Sequence, residues 1–282
     1  MPEAFDLDAY LRRLSYDGPR QPSFAVLASI VSLHAATIPY ENIDVLLKRR
    51  IHLDVVSLQH KLVHRRRGGY CFEQNALLEA ALQALGFAVT CLAARNVRRL
   101  PVPEEAARDH KILRVDVPEG SYIADVGLGN LTPTVPLALR LGLEQPTPHA
   151  AYRLLPQGSE FIVDINRGET WEGLFRFAPD PVPAIDFEMA NWFMSTFPGG
   201  GLLHNLIVAR PTATGQTSVL NRRYTVHGLD NQVTHRSLDG IDDYRDVLTS
   251  GFGLAIDEET LAAIVSEMTV HSADEDKLRM FA

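Results

Sequence analysis

At Gly86 the apolar pattern of this chain changes period, and that switch constrains the fold more than any other feature. Upstream, apolar side chains recur at intervals of three and four: Leu7, Tyr10, Leu11 and Leu14, then Phe24, Leu27, Ile30 and Val31 with His34, then Leu77, Leu78, Ala81, Leu82 and Leu85. This spacing gives each helix one apolar face. Downstream the pattern alternates, in segments 89–93, 111–117, 122–126, 152–155, 161–165 and 171–177. Pro118-Glu-Gly120, Pro156-Gln-Gly158 and Arg167-Gly168 punctuate those segments as turns. Short strands at such intervals predict an antiparallel sheet or barrel.

Local signals add detail. Asp6 and Ser23 are placed to cap helices, and Gly86 is placed to end one. A third helix is expected over 56–64 and a fourth over 71–85, after Gly68-Gly69. A short helix is expected over 187–194, strands over 206–210, 223–226 and 232–236, and closing helices over 241–248 and 257–268. The reading is α+β: a helical bundle over 1–90, a central antiparallel β-barrel over 91–190, and an interdomain segment with a smaller α/β region over 191–282. The length of 282 residues by itself suggests about two domains.

Composition excludes several classes. Hydrophobic residues make up 46% and charged residues 22%, so real cores can form. No run approaches the ~18 apolar residues of a membrane span, and the start, Met1-Pro-Glu-Ala-Phe-Asp, does not read as a signal peptide. The two cysteines, Cys71 and Cys91, cannot build a disulfide framework, so a cytoplasmic setting is expected. The net charge of −8 falls as +1, −4 and −5 across the three segments. An acidic chain is a poor general binder of nucleic acid, whose affinity comes from neutralised phosphates. The short basic run His64-Arg-Arg-Arg67 reads as a solvated helix end. His60 and His64 have the spacing of helical metal ligands but lack a zincin glutamate and a third ligand, so no metal is expected.

Cys71 stands out by its setting. In Arg67-Gly-Gly-Tyr-Cys71-Phe-Glu-Gln-Asn75 it follows a glycine turn and opens an amphipathic helix. Unpaired N–H groups there stabilise a thiolate and could hold a developing oxyanion. Cys91 lies in an apolar strand without such features. A nucleophilic cysteine needs a base and a group that orients the base. Asp109-His110 opens one strand and Asp125 follows one hairpin later, but the strand register that would join them cannot be read from the chain.

These residues closely resemble the active-site signature of the arylamine N-acetyltransferases. The resemblance extends through His34 and Ile38-Pro-Tyr-Glu-Asn42, Asp109-His110, Asp125-Val-Gly-Leu-Gly129, Asn191-Trp-Phe-Met-Ser-Thr196 and Leu206-Ile-Val-Ala-Arg210, in the family's order. It implies a cysteine-protease-like triad of Cys71, His110 and Asp125 within a bundle, a barrel and an α/β lid. It implies acetyl-coenzyme A as acyl donor, no metal, and arylamines, arylhydrazines or arylhydroxylamines as acceptors. It further implies that Tyr40, Phe72, Asp109 and Leu202 line the acceptor pocket, that Gly127, Leu128, Gly129 and Thr196 flank coenzyme A, and that Glu41 and Arg67 brace the cysteine loop as an ion pair. A homodimer is compatible with the family.

One departure bears on selectivity. Where many relatives read Ser-Thr-x-Pro-x-Ser-x-Phe, this chain reads Ser195-Thr-Phe-Pro-Gly-Gly-Gly-Leu202, so Gly200 replaces a serine and Leu202 an aromatic. Acceptor preference and coenzyme A packing are both expected to respond. The rival readings are a same-fold acyltransferase or amide synthase taking a malonyl or polyketide donor, a thioesterase-like hydrolase, and a non-catalytic binder with a vestigial triad.

Overall fold

The structure, a computed structural model, describes residues 5–98, 105–168, 170–230 and 232–270. The first four residues, which entered the expectation that the start is no signal peptide, lie outside these.

The helical part forms where the capping signals say it should. In α1 (Leu7–Arg13) the Asp6 carboxylate accepts from the Ala9 N–H, and in α2 (Phe24–Thr37) Ser23 accepts from the Val26 N–H. The chain then makes a two-residue strand β1 (Tyr40–Glu41), a short helix α3 (Ile43–Leu46) and a helix α4 (Val55–Leu58). The helix expected over 56–64 is thus only partly regular. After Leu58 it widens into a looser turn, with the Arg65 N–H donating to the His60 carbonyl. The helix α5 (Cys71–Ala84) follows, and Gly86, at φ +86°, takes the left-handed conformation that ends it. Leu27, Ile30, Leu77, Leu78, Ala81 and Leu82 are fully buried together and form the core of this part.

The strands β2 (Ala88–Asn96), β3 (His110–Val117), β4 (Gly120–Ala124), β5 (Leu137–Ala138), β6 (Gln145–Pro146), β7 (Ala151–Gln157), β8 (Glu160–Asn166) and β9 (Trp171–Phe177) form one antiparallel sheet. Its order is β5-β4-β3-β2-β9-β8-β7-β6. The expected barrel is not closed by backbone pairing: β5 and β6 remain its two edges. The Gln145 side chain spans the gap, accepting from the Ala138 N–H at 2.6 Å and donating to the Ala138 carbonyl at 3.0 Å. One amide thereby satisfies both peptide groups that an adjoining strand would have taken.

The helix α6 (Ala184–Thr196) leads to a second antiparallel sheet of β10 (Ile207–Thr212), β11 (Gly215–Leu220), β12 (Arg223–Gly228) and β13 (Val233–Ser237), closed off by α7 (Ile241–Arg245) and α8 (Glu258–Val270). β11 escaped the sequence reading, because Gly215-Gln-Thr-Ser218 offers no apolar alternation. The outer edge of this sheet is β1, with Tyr40 opposite Ala209 and Glu41 opposite Val208. A segment expected in the helical bundle therefore completes the C-terminal sheet, which ties the first and last parts of the chain together.

Candidate active site

Cys71 opens α5, so the free N–H groups of the first helical turn lie beneath its thiol. Two glycines make that placement sterically possible. A Cβ on Gly68 would stand 2.1 Å from the Pro39 carbonyl oxygen, and one on Gly69 would meet the Glu73 side chain. The loop is braced from below by charge. Glu41 accepts from Arg67 Nε at 3.0 Å and Nη2 at 2.7 Å, with the carboxylate fully buried. The sequence reading found that pair but not its extension. Asp44 accepts from Arg67, and Lys61 bridges Asp44 and Glu73 at 2.7 Å each. Glu73 in turn accepts from the Tyr70 N–H at 3.1 Å, which fixes the residue before the cysteine. Burial alone would raise the Asp44 carboxyl, but Lys61 and Arg67 outweigh it and hold its pKa at about 2.

The base comes from the barrel. β3 and β4 pair with Leu113 opposite Ala124, which sets His110 at the start of one strand and Asp125 just past the end of the next. His110 Nε2 and Asp125 Oδ2 are 2.7 Å apart, both side chains buried. Asp125 Oδ1 also accepts from the Gly127 N–H and from the Asn75 amide, each at 2.8 Å. A carboxylate with three donors is stable without water. It assigns the proton on His110 to Nε2 and leaves Nδ1 as the acceptor nitrogen. Burial would lower the His110 pKa, yet the Asp125 charge and hydrogen bond hold it well above the ordinary histidine value. Burial holds the Cys71 thiol above its ordinary value, and the His110 hydrogen bond and charge offset only part of that. The direction that decides the pair is that of His110: its imidazolium is stabilised, which favours transfer of the thiol proton to it. Sγ also lies 3.8 Å from the Asp109 carbonyl.

Asn75 was quoted in the sequence motif but given no role. One helical turn after Cys71, it donates to the Lys111 carbonyl and to Asp125 and accepts from the Val126 N–H. It binds the helix that carries the thiol to both strands that carry the His–Asp pair. Its i, i+4 relation to Cys71 was the signal that could have revealed it.

Cys71, His110 and Asp109 open into a cavity of about 420 Å³. Tyr40, Gly127, Leu128, Gly129 and Leu202 also line it, together with Met194 and with Ile207 and Ala209 of β10. All three segments of the chain thus meet there. Two expected residues do not line it. Phe72 is fully buried behind Cys71, packed on Tyr70 and Phe187, because the next helical residue points about 100° away from the thiol. Thr196 is exposed, donates to the Trp192 carbonyl, and lines a separate groove. Met194 turns into the cavity, and two residues on, Thr196 faces nearly the opposite way. A further cavity of about 440 Å³ adjoins the first, with Arg98, Leu131, Arg167 and His227 common to both.

Cys91 is partly buried, and burial pushes its thiol up to about 12. His64 is exposed and lies near Gln59. Among the described residues no group of three His, Cys, Asp or Glu side chains is arranged to hold a metal, and no helix is long and apolar enough to cross a membrane.

Comparison with known proteins gives the family of the chain. Residues 23–261 match the family described as N-acetyltransferase. The arylamine N-acetyltransferase of Escherichia coli (strain K12) is 35% identical over 265 residues, 94% of each chain. The arylamine N-acetyltransferase of Salmonella typhimurium superimposes with a TM-score of 0.89 at 33% identity, covering 95% of this chain and 100% of that one. The Mycobacterium marinum arylamine N-acetyltransferase in complex with CoA superimposes with a TM-score of 0.87 at 32% identity, covering 93% and 99%.

Proposed function

This chain belongs to the arylamine N-acetyltransferase family, and from that premise we propose that it carries an acetyl group from acetyl-coenzyme A, through a thioester on Cys71, to the nitrogen of an arylamine, arylhydrazine or arylhydroxylamine. The observation that carries the reading is the buried His110–Asp125 pair at 2.7 Å beside a helix-start cysteine, at the floor of a shared cavity.

The steps follow from the groups present. His110 Nδ1 takes the thiol proton, and Asp125 stabilises the imidazolium that results. The thiolate attacks the acetyl carbonyl of the donor. The C–S bond to coenzyme A breaks, and His110 returns a proton to the departing sulfur. The amine then attacks the Cys71 thioester, His110 accepts its proton, and the amide leaves as the free thiol is restored. One nucleophile serving two substrates in turn gives ping-pong kinetics. Oxyanion donation falls to the N–H groups at the start of α5.

The division of labour proposed for the chain is a helical 1–90 segment carrying the nucleophile, a barrel segment 91–190 carrying the base, and a 191–282 segment that walls the cavity through Leu202 and Ile207. Coenzyme A is an anion with three phosphate groups, and Arg98 and Arg167, at the junction of the two cavities, are the cations placed to receive that end. Gly127, Leu128 and Gly129 flank the path between them and Cys71. The setting is cytoplasmic, and assembly as a homodimer is part of the same proposal.

Incubation with acetyl-coenzyme A and no amine should add one acetyl group to the peptide containing Cys71. Acetylation of Cys91 instead, or of neither cysteine, would overturn the assignment. Partitioning of the acyl-enzyme between amine and water separates this reading from a thioesterase.

A further inference from the structure

Among the described residues that line the Cys71 cavity, Asp109 is the one carboxylate. The other charged lining residues are cations, Arg98, Arg167 and Arg223. The backbone puts Asp109 beside the thiol: it directly precedes His110, and its carbonyl lies 3.8 Å from Cys71 Sγ. Its side chain is partly buried and has little to do inside the protein. Oδ1 accepts from the Asn96 N–H at 2.9 Å, and no side chain among the described residues donates to either oxygen. Arg95 and Arg98, the nearest arginines along β2, face Glu160 and Glu172 instead.

Such a carboxylate is a liability twice over. Withdrawn from water without a cation, it costs stability. Burial raises its own pKa, and the Asn96 N–H and the His110 charge offset only part of that. Its charge also raises the Cys71 thiol, against the chemistry of the site. An asparagine would keep the hydrogen bond to Asn96 and carry neither cost. The advantage of a charge here lies with the substrates, because specificity is built from repulsion as well as attraction.

We propose that Asp109 is a charge filter for both substrates of Cys71: it turns away acyl groups and acceptors that bring a carboxylate to the thiol, and favours uncharged ones. The proposal rests on Cys71 as the acyl carrier. A malonyl thioester holds its carboxylate one methylene from the carbonyl under attack, within the field of Asp109, whereas an acetyl group presents only a methyl. In the second half-reaction the amine nitrogen becomes positive as it attacks and stays so until His110 takes its proton. A carboxylate beside it stabilises that charge. The same carboxylate opposes an aminobenzoate. The phosphates of coenzyme A escape the repulsion, because Arg98 and Arg167 receive them where the two cavities join. Asp109 thus separates an acetyl donor from the rival malonyl donor.

Alkylation of Cys71, read by mass on its peptide, tests the filter without any acyl transfer. Iodoacetamide and iodoacetate are close in size and differ in charge. The ratio of their rates within one protein cancels any change in thiolate fraction, so it reports local charge. In Asp109→Asn the iodoacetamide-to-iodoacetate ratio should fall at least about tenfold, the scale of a unit charge several ångströms away in a partly buried site. Asp109→Ser, which removes the charge with a smaller side chain, should behave alike, and Asp109→Glu should hold the ratio. In turnover, the acetyl- to malonyl-coenzyme A ratio of kcat/KM should fall by a similar factor in the two neutral variants. So should the ratio for p-aminobenzamide over p-aminobenzoate. Ratios unchanged in both neutral variants would overturn the proposal, as would a wild type that turns over malonyl-coenzyme A as fast as acetyl-coenzyme A. Failure of Cys71 to take up acetyl from acetyl-coenzyme A would sink the acyl-carrier reading itself, and mass measurement shows it separately from the alkylation ratio.

Discussion

A Cβ placed on Gly127 would stand 2.8 Å from the Cys71 Cα and 2.7 Å from the Asn75 amide nitrogen. The loop that follows Asp125 therefore rests directly on the backbone that carries the thiol. The resemblance assigned Gly127 to a place beside the donor, but its first duty is steric: no side chain fits between the barrel loop and the helix. Gly127→Ala should lose about 1–3 kcal/mol of stability, the usual cost of overpacking. It should also slow thiol alkylation, because Cys71 and the His110–Asp125 pair are pushed apart. Chemical denaturation and iodoacetamide kinetics measure the two effects. A fully stable, fully reactive variant would show that the loop can move aside freely.

Asp125→Asn keeps the shape of the side chain and removes the charge that holds the His110 imidazolium up. In a serine triad the comparable change costs about 10⁴-fold in turnover. Here the His110 pKa should fall, so the protonated base is lost at lower pH. Alkylation of Cys71 near neutral pH should then slow markedly. His110→Gln should behave alike. An unchanged alkylation rate in Asp125→Asn would reduce Asp125 to a structural group.

Leu202 lines the cavity with Cys71, where the family pattern has an aromatic. Leucine offers no ring face, and an aromatic pair contributes about 0.5–1.5 kcal/mol beyond area burial. Leu202→Phe should lower the Michaelis constant for a small aniline several-fold and impair turnover of a bulky arylhydrazine. Steady-state assays with both acceptors check this. If neither acceptor responds, the acceptor does not reach Leu202.

His34 is fully buried between Tyr10, whose hydroxyl lies 2.8 Å from Nδ1, and Gln74, whose Oε1 lies 2.7 Å from Nε2. The Gln74 amide nitrogen already donates to the Ile38 and Pro39 carbonyls, so the neutral ring donates from Nε2 and accepts at Nδ1. Burial lowers its pKa from 6.5 to about 4. The neutral form is the native one. Its contribution is therefore complete above pH 6.5 and is lost as pH falls toward 4, by about 3 kcal/mol. Urea unfolding at pH 4, 5, 6 and 7 should show a steeper acid loss in the wild type than in His34→Gln. Parallel curves would mean that His34 keeps its charge when folded.

What the sequence determined by itself was local. The period change at Gly86, the caps at Asp6 and Ser23, and the glycine turn before Cys71 act over a few residues, so the helices and most strands could be read directly. Cys71 was identifiable because a helix start changes a thiol through its own neighbouring peptides. Leu202 was found only by comparison with the family's pattern. The tertiary structure alone decided what depends on pairing between distant segments. It set the β3–β4 register that brings His110 to Asp125, and the Asn75 clamp that joins that pair to the helix of Cys71. It turned Phe72 and Thr196 away from the cavity, since helical rotation fixes a side chain's direction only once the helix is docked. It also sent Tyr40–Glu41 to the edge of the C-terminal sheet and left the barrel to be bridged by Gln145. Backbone donors and acceptors of a strand are satisfied by whichever partner the whole chain brings alongside, and that partner is absent from the strand's own residues.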